Sequence, residues 1–138
     1  MVLKEVLREA DNDPDIRVIE LPAWAPLEVN ALQRASTVVI QKSLREGFGL
    51  TVSEALWKRK PVVASAVGGI PIQIIHKHTG LLAHSVEGTA YQIRFLLSHP
   101  EIAAKLGENG HQHVKESFLI TQKLKRYLTL FLTLARGS

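Results

Sequence analysis

The feature that most constrains this chain is a glycine-rich turn between two glutamates, Glu46-Gly-Phe-Gly-Leu-Thr-Val-Ser-Glu54. The run from Ala35 to Ile40 ahead of it is short and β-branched, which is typical of a buried strand. The segment from Leu50 to Lys60 is typical of a helix that ends in cationic side chains. The turn is therefore predicted to lie at a strand-to-helix junction, where glycine allows close approach to the backbone and free N–H groups favour an anion.

The two carboxylates lie on either side of this predicted anion site. Glu46 precedes the turn, and Glu54 lies eight positions further on, about one turn into the helix. A carboxylate only accepts hydrogen bonds, so it suits the vicinal hydroxyls of a sugar. The pattern indicates a diphosphate at the turn, with a hexose on one side and a ribose on the other. The alternative stays open that Glu46 only complements the helix dipole and that Glu54 pairs with Lys58.

At these residues the chain resembles a known family, the retaining glycosyltransferases with the GT-B fold, whose E-x7-E signature is similar to Glu46–Glu54. The likeness continues through Lys60–Pro71 and Thr79–Leu82. It covers roughly residues 14 to 134. The trehalose synthase branch of that family is echoed by four segments: Glu28–Ser36, Ser43–Thr51, Glu54–Lys58 and Phe118–Thr121.

The resemblance implies a role for each residue of the turn, although it implies no enzyme nucleophile and hence no glycosidase-like carboxylate pair. The implied donor-sugar residues are Glu46, Gly47, Phe48 and Gly49; the implied diphosphate residues are Leu50 and Thr51; and Glu54 is implied to bind the ribose.

The resemblance implies that the arginine and lysine that clamp the diphosphate in this family come from loops of the opening donor-domain strands, which are expected to be missing here. Lys42 and Arg45 lie near enough in sequence to replace them. We expect both to contribute to the diphosphate site. No metal or other cofactor is expected, because the nucleotide sugar is a substrate and amides and cations bind its phosphates.

A second glycine pair, Gly68 and Gly69, follows the apolar strand Pro61–Ala64. Open α/β sheets bind ligands in loops after the carboxyl ends of their strands. The resemblance also puts this loop near the donor site. We interpret the two glycines as secondary site residues, with a plain turn as the alternative.

The order of predicted elements indicates an α/β fold: a Rossmann-like, doubly wound parallel sheet with helices on both faces. Pro100 and Gly107 are expected to separate the late helices. The predicted strands are Ile16–Glu20, 37–41, 61–64 and 80–83; the predicted helices are Val2–Ala10, Glu28–Ala35, Leu50–Lys60, 87–98, 100–106, 108–117 and 121–134.

Residues 1–138 are expected to form one partial nucleotide-sugar-binding domain. The resemblance implies that the acceptor-binding N-terminal domain and the first strands of the donor domain are missing, so the sheet is truncated. Ile16–Glu20 and Thr37–Gln41 would then flank two absent central strands. An unpaired apolar edge invites association, so we expect the sheet either to rearrange or to borrow strands from a partner.

The helix at 121–134 carries an apolar stripe of Leu124, Tyr127, Leu128 and Phe131 with i, i+3, i+4, i+7 spacing. In the related family this end of the chain crosses back onto the N-terminal domain. We expect the stripe to pack on this chain or on a second copy, which makes a homodimer through this helix or the sheet edge a candidate assembly.

Composition argues against several other classes of protein. The net charge of +4 comes from residues 111–138, which hold five basic residues and one acidic residue, without an aromatic stacking face for nucleic acid. There is no cysteine, no long apolar run and no signal-peptide pattern, so we expect a cytoplasmic protein with no membrane partner. The histidine pairs at 76 and 78 and at 111 and 113 have i, i+2 spacing, which does not suit a helical metal site.

The favoured function is nucleotide-sugar binding, with UDP-glucose or ADP-glucose as donor, in a retaining enzyme that transfers glucose to a sugar acceptor. The chain alone is expected to be inactive if the acceptor domain is absent. One alternative is a non-catalytic domain that forms a homo-oligomer. Another is a phosphorylase or epimerase of the same architecture.

Overall fold

The computed structural model describes residues 2–136, so positions 1, 137 and 138 of the predicted domain lie outside the described residues. Contacts divide the chain into two units, Met1–Ala31 and Leu32–Ser138. The helices are α1 Val2–Glu9, α2 Pro26–Ala35, α3 Leu50–Trp57, α4 Ile70–Gln73, α5 Val86–Ser98, α6 Pro100–Ser117 and α7 Ile120–Arg136; the strands are β1 Val39–Gln41, β2 Val62–Ser65 and β3 Leu81–Ala83.

The first unit contains α1 and the predicted turn after it. Asp11 and Asn12 adopt positive φ angles of 46° and 56°, a conformation that Asp and Asn tolerate better than most residues. The Asp13 carboxylate then accepts a hydrogen bond from the Asp15 amide at 2.9 Å. The predicted strand Ile16–Glu20 is wrong: the segment has no regular structure. A strand needs a hydrogen-bonded neighbour, and the described residues of this unit provide none.

The second unit is built on a three-stranded parallel sheet in the order β1-β2-β3. Val39 pairs with Val62, and Val63 pairs with Leu81. The three strands pair in chain order without Ile16–Glu20, and the expectation that the sheet borrows strands from a partner stays a prediction. Ile40 of β1 is 47% exposed at the outer edge of the described sheet.

Helices cover both faces of this sheet, which confirms the doubly wound arrangement. All four residues of β2 are buried, as expected for a central strand of a parallel sheet. Its alternate side chains enter two different clusters. On one face the buried residues are Val39, Val52, Ala55, Leu56, Val62, Ala64, Ile70, Ile74 and Val114; on the other they are Val63, Leu81, Ala83, Leu96, Ala103 and Leu106.

Helix α6 runs without a break where two helices were predicted. Gly107 lies within it, and a Cβ atom there would be 2.2 Å from the carbonyl oxygen of Arg59. A Cβ at Gly110 would be 2.6 Å from Leu56 Cδ2. These glycines therefore allow α6 to approach α3 and the segment after it, so they serve packing and do not end the helix.

Helix α7 contrasts with the rest of the second unit because none of its described side chains is buried. The expectation that its apolar stripe packs on this chain is therefore wrong for the described residues, while packing on a second copy stays a prediction. The large apolar side chains of α7 beyond its first turn are 50 to 60% exposed: Leu124, Tyr127, Leu128, Leu130, Phe131, Leu132 and Leu134.

No helix within residues 2–136 is long and apolar enough to cross a membrane.

Candidate functional site

The glycine-rich turn lies at the junction between β1 and α3, as the sequence predicts. Gly49 precedes the first helical residue with φ 82° and ψ 59°, in the left-handed region that favours glycine. Space is tight there as well, since a Cβ atom would be 3.1 Å from Ile70 Cγ1. No side chain of residues 2–136 caps this end of α3. The helix N-terminus is therefore open to a bound group.

Three consecutive amides at this end of α3 are available to such a group. The N–H groups of Gly49, Leu50 and Thr51 donate no hydrogen bond to any described part of the chain. The first N–H groups of a helix have no intrahelical partner, and the dipole adds partial positive charge. Three such donors in a row at one helix end suit the oxygens of a phosphate.

Glu46 is held in place beside these amides. Its Oε1 accepts the Gly47 amide at 3.0 Å. Its Oε2 accepts the Gln41 side-chain amide and the Ser43 hydroxyl, each at 3.2 Å. Gln41 also donates to Ser43 Oγ at 2.8 Å. The half-buried carboxylate is thus oriented by three donors, and the remaining acceptor capacity of its oxygens can serve a hydroxyl.

Glu54 lies on the first turns of α3 and is exposed. Its Oε2 accepts a hydrogen bond from Gln33 Nε2 at 3.4 Å. The ammonium group of Lys58 does not pair with this carboxylate; it donates to Gln33 Oε1 at 2.7 Å and to the Glu54 carbonyl at 3.2 Å. Gln33 is only 5% exposed. A buried amide thus connects the two charged side chains and leaves most of the Glu54 carboxylate open to solvent.

Lys42 and Arg45 lie in the same loop ahead of the turn, and both are exposed. Neither side chain makes a hydrogen bond or an ion pair with the described residues. Two uncommitted cations thus lie within a few residues of Glu46. They are therefore available to pair with an anion bound at the turn.

Gly68 and Gly69 contact the turn itself. The Gly69 amide donates to the Gly47 carbonyl at 2.6 Å. A Cβ atom at Gly68, whose φ is 56°, would lie 1.8 Å from the Glu46 carbonyl oxygen, and one at Gly69 would lie 2.8 Å from that of Gly47. The structure therefore brings the second glycine pair to the predicted site, as support for its backbone.

Four side chains of this site were not predicted from the sequence: Gln33, Gln41, Ser43 and Gln73. Gln41 and Ser43 lie at and just after the carboxyl end of β1, where open α/β sheets position ligand-binding groups. Their position could therefore have predicted Gln41 and Ser43 as site residues. Gln33 and Gln73 gave no such signal, because their partners are 21 and 24 or 25 residues away in sequence.

The histidines take structural positions. The His111 ring stacks on Trp57 with centroids 4.6 Å apart, and His113 makes an edge contact with Phe118. His76 Nδ1 accepts the Leu82 amide at 2.9 Å. Within residues 2–136, no group of three or more His, Asp or Glu side chains lies close enough to hold a metal ion.

A cavity of about 410 Å³ lies beside β3, between that strand and helices α5 and α6. Its walls include His76, Tyr91, Phe95 and Leu106. None of the predicted site residues lines it. The turn at the N-terminus of α3 is instead an open surface site.

Comparison with known proteins places the chain in a family. Residues 18–113 match the protein family described as "Glycosyl transferases group 1". Trehalose synthase of Thermococcus litoralis is 48% identical over 128 residues, which are 92% of this chain and 31% of that protein. The chain thus spans about a third of the length of this curated relative.

Two solved structures illustrate the fold. Sucrose-phosphate synthase from Thermosynechococcus elongatus is 29% identical with a TM-score of 0.79, and the match covers 99% of this chain and 34% of that one. The Anabaena protein HepE, solved in complex with UDP and glucose, is 24% identical with a TM-score of 0.77, over 93% of this chain and 36% of that one. At this identity, the second comparison shows the fold alone.

Proposed function

We propose that this chain, which belongs to the glycosyl transferases group 1 family and has the fold of GT-B C-terminal domains, binds the nucleotide-sugar donor of a glucosyl transfer. The donor is UDP-glucose or ADP-glucose, and the acceptor of the whole protein is a sugar, as in a trehalose synthase. The observation that carries this proposal is a row of three amides at the α3 N-terminus that have no partner among the described residues, with a carboxylate on either side.

The diphosphate of the donor would take the amides of Leu50 and Thr51. Negative charge grows on this group as the bond to the sugar breaks, and helix amides aimed at it stabilise that charge without reorganisation. Lys42 and Arg45, which have no other partner among the described residues, add countercharge. No metal or other cofactor is part of this proposal.

The two carboxylates would hold the two ends of the donor. Glu46, already oriented by Gln41 and Ser43, accepts hydrogen bonds from hydroxyls of the glucose, with Gly47, Phe48 and Gly49 beside the same sugar. Glu54 accepts hydrogen bonds from the ribose hydroxyls, and Gln33 restrains it. The 48% identity to a trehalose synthase supports a donor site in this chain, and HepE, which was solved with UDP and glucose, shares its fold.

The experiment that tests the proposal is a calorimetric titration of the chain with UDP-glucose and with ADP-glucose. We expect saturable binding of one of them and a loss of roughly tenfold or more in affinity in Glu54→Ala, because hydrogen bonds to a charged group contribute about 1.5 kcal/mol or more. Glu108→Ala is the matched control: Glu108 is an exposed glutamate on α6 that pairs with Arg59 at 2.7 Å. If the chain binds neither UDP-glucose nor ADP-glucose, the proposal is contradicted.

Turnover belongs to the whole protein, with the acceptor bound by an N-terminal domain, and a cytoplasmic location is part of the same proposal. Glucose transfer to free glucose distinguishes a synthase from the non-catalytic alternative. Dependence on inorganic phosphate would identify the phosphorylase alternative.

We also propose that α7 is an association surface. Eight of its large apolar side chains, Ile120 included, are half exposed or more, and contiguous exposed apolar surface marks interaction sites. In a purified sample the partner available to it is a second copy of the chain, so a homodimer is the expected form.

A further inference from the structure

Gln73 lies directly behind the glycine-rich turn and is fully buried, with 0% exposure. Its side-chain Nε2 donates to the carbonyl oxygen of Phe48 and, at 3.4 Å, to that of Gly49. It is the last residue of α4, between the fully buried Ile70 and Ile74. The side chain is therefore fixed by the core on one side and by the turn on the other.

These two hydrogen bonds orient the amides that the turn presents. A peptide unit is planar and trans, so its C=O and its N–H point in opposite directions. The Phe48 carbonyl shares a peptide plane with the Gly49 amide, and the Gly49 carbonyl shares one with the Leu50 amide. When Gln73 holds both carbonyls toward the core, both N–H groups face away from it, and neither has a partner among residues 2–136.

The burial of Gln73 carries a cost that packing alone does not explain. Its Oε1 is buried and has no hydrogen-bond partner within the described residues. An amide in that condition loses its hydration without full compensation. A leucine of similar volume would fill the space without this cost, so the amide must be assigned a role other than packing.

We propose that Gln73 is a positioning residue for the donor site: it holds the peptide planes on both sides of Gly49 so that the Gly49 and Leu50 amides face the donor. This inference rests on the proposed function. Gln73 does not touch the ligand itself; it acts through the carbonyls of the turn.

Donor affinity in three forms of the full chain tests the proposal: the wild type, Gln73→Leu and Gln73→Glu. We expect Gln73→Leu to weaken binding of the preferred nucleotide sugar about tenfold, as two lost hydrogen bonds imply. In Gln73→Glu, a carboxylate would repel the carbonyls at about pH 8. Burial raises the pKa of a glutamate, so at about pH 5.5 its neutral form can donate one hydrogen bond and restore part of the affinity.

Thr89→Val is the matched control for loss of a buried hydrogen bond. Thr89 is 7% exposed on α5, donates to the Ser85 carbonyl at 2.8 Å, and lies outside the proposed site. We expect this variant to keep wild-type donor affinity. If Gln73→Leu also keeps it, the positioning role is overturned while the proposed function stands.

Amide hydrogen exchange gives a readout that does not need the donor. The Val52 amide donates to the Gly49 carbonyl at 2.9 Å. If Gln73 orders the turn, Val52 exchanges faster in Gln73→Leu, while amides inside α6 keep their protection. Unchanged exchange at Val52 would overturn the positioning role of Gln73, whether or not the wild-type chain binds a nucleotide sugar. Failure of the wild-type chain to bind any nucleotide sugar would separately refute the proposed function.

Discussion

Helices α3 and α7 are both rich in apolar residues, yet the fold treats them differently. In α3, Val52, Ala55 and Leu56 have 0% exposure against the sheet. In α7 no described side chain is buried. The sheet thus packs against α3, whereas no comparable layer within the described part of the chain covers α7. Apolar content alone therefore does not decide burial; one helix stabilises this unit, and the other presents a surface.

The order around α3 also extends to its functional end. The loop with Gly68 and Gly69, and α4 with Gln73, all contact the backbone of the turn. The backbone of the site is therefore supported by the same core that buries α3. We expect changes in this region to alter folding and donor binding together, and equivalent changes in α7 to alter neither in the monomer.

The largest effect is expected for Gly68→Ala. The substitution forces a left-handed φ of 56° on alanine and puts a Cβ atom 1.8 Å from the Glu46 carbonyl oxygen. Conformational strain of about 1–2 kcal/mol and overpacking of about 1–3 kcal/mol predict a loss of roughly 4 kcal/mol in the free energy of unfolding. Urea denaturation measures it. Gly47→Ala is the control, since a Cβ there meets nothing within 4 Å; equal losses in both variants would contradict this explanation.

The comparison between the helices is tested directly by the same substitution in each. Leu56→Ala removes a fully buried side chain, so we expect the free energy of unfolding to fall by about 3 kcal/mol. Leu128 is 53% exposed, so Leu128→Ala should lower the free energy of unfolding by less than about 0.5 kcal/mol. Urea denaturation at a concentration where the chain is monomeric measures both. A large loss in Leu128→Ala would mean that α7 is part of the monomer core.

Dimer formation should depend on Leu128, in contrast to the stability of the monomer. If a second copy covers α7, Leu128→Glu should weaken the dimer about thirtyfold, because a buried leucine contributes about 2 kcal/mol. Sedimentation equilibrium measures the dissociation constant. Lys125→Glu introduces the same carboxylate elsewhere on the helix, and we expect it to leave association closer to wild type. A wild-type chain that stays monomeric at all concentrations would exclude the homodimer.

Local patterns were sufficient to predict the strand-to-helix junction, the parallel sheet and the glutamates that flank the turn. They failed where a distant contact decides the structure. Ile16–Glu20 has the composition of a strand, but a strand needs a neighbour. A glycine such as Gly107 is typical of a helix end, but here it lies inside a helix and allows close contact with the Arg59 carbonyl.

The supporting residues of the site were missed for the same reason. Gln73 is one polar residue in an apolar run, and its partners Phe48 and Gly49 are 25 and 24 positions earlier. No spacing rule connects them. Sequence patterns therefore predict which residues meet a ligand at an element's end more readily than which residues hold that end in place.

The smallest effect is expected at β3, the strand on the opposite side of β2 from β1. Partial desolvation of the exposed ring lowers the pKa of His76, and the nearby charges of Lys77 and His84 lower it further. The unfolded chain therefore takes up a proton first as the pH falls below about 6.5, which reduces the free energy of unfolding. Protonation of Nδ1 also removes the acceptor for the Leu82 amide. Because His76 is exposed, solvent screens the effect.

The His76→Asn variant tests this effect because asparagine keeps a hydrogen-bond acceptor and does not titrate. Its free energy of unfolding should fall less than that of wild type between about pH 7.5 and 5.5. Equal pH dependence of urea denaturation in the two proteins would show that His76 does not contribute to the loss of stability in acid.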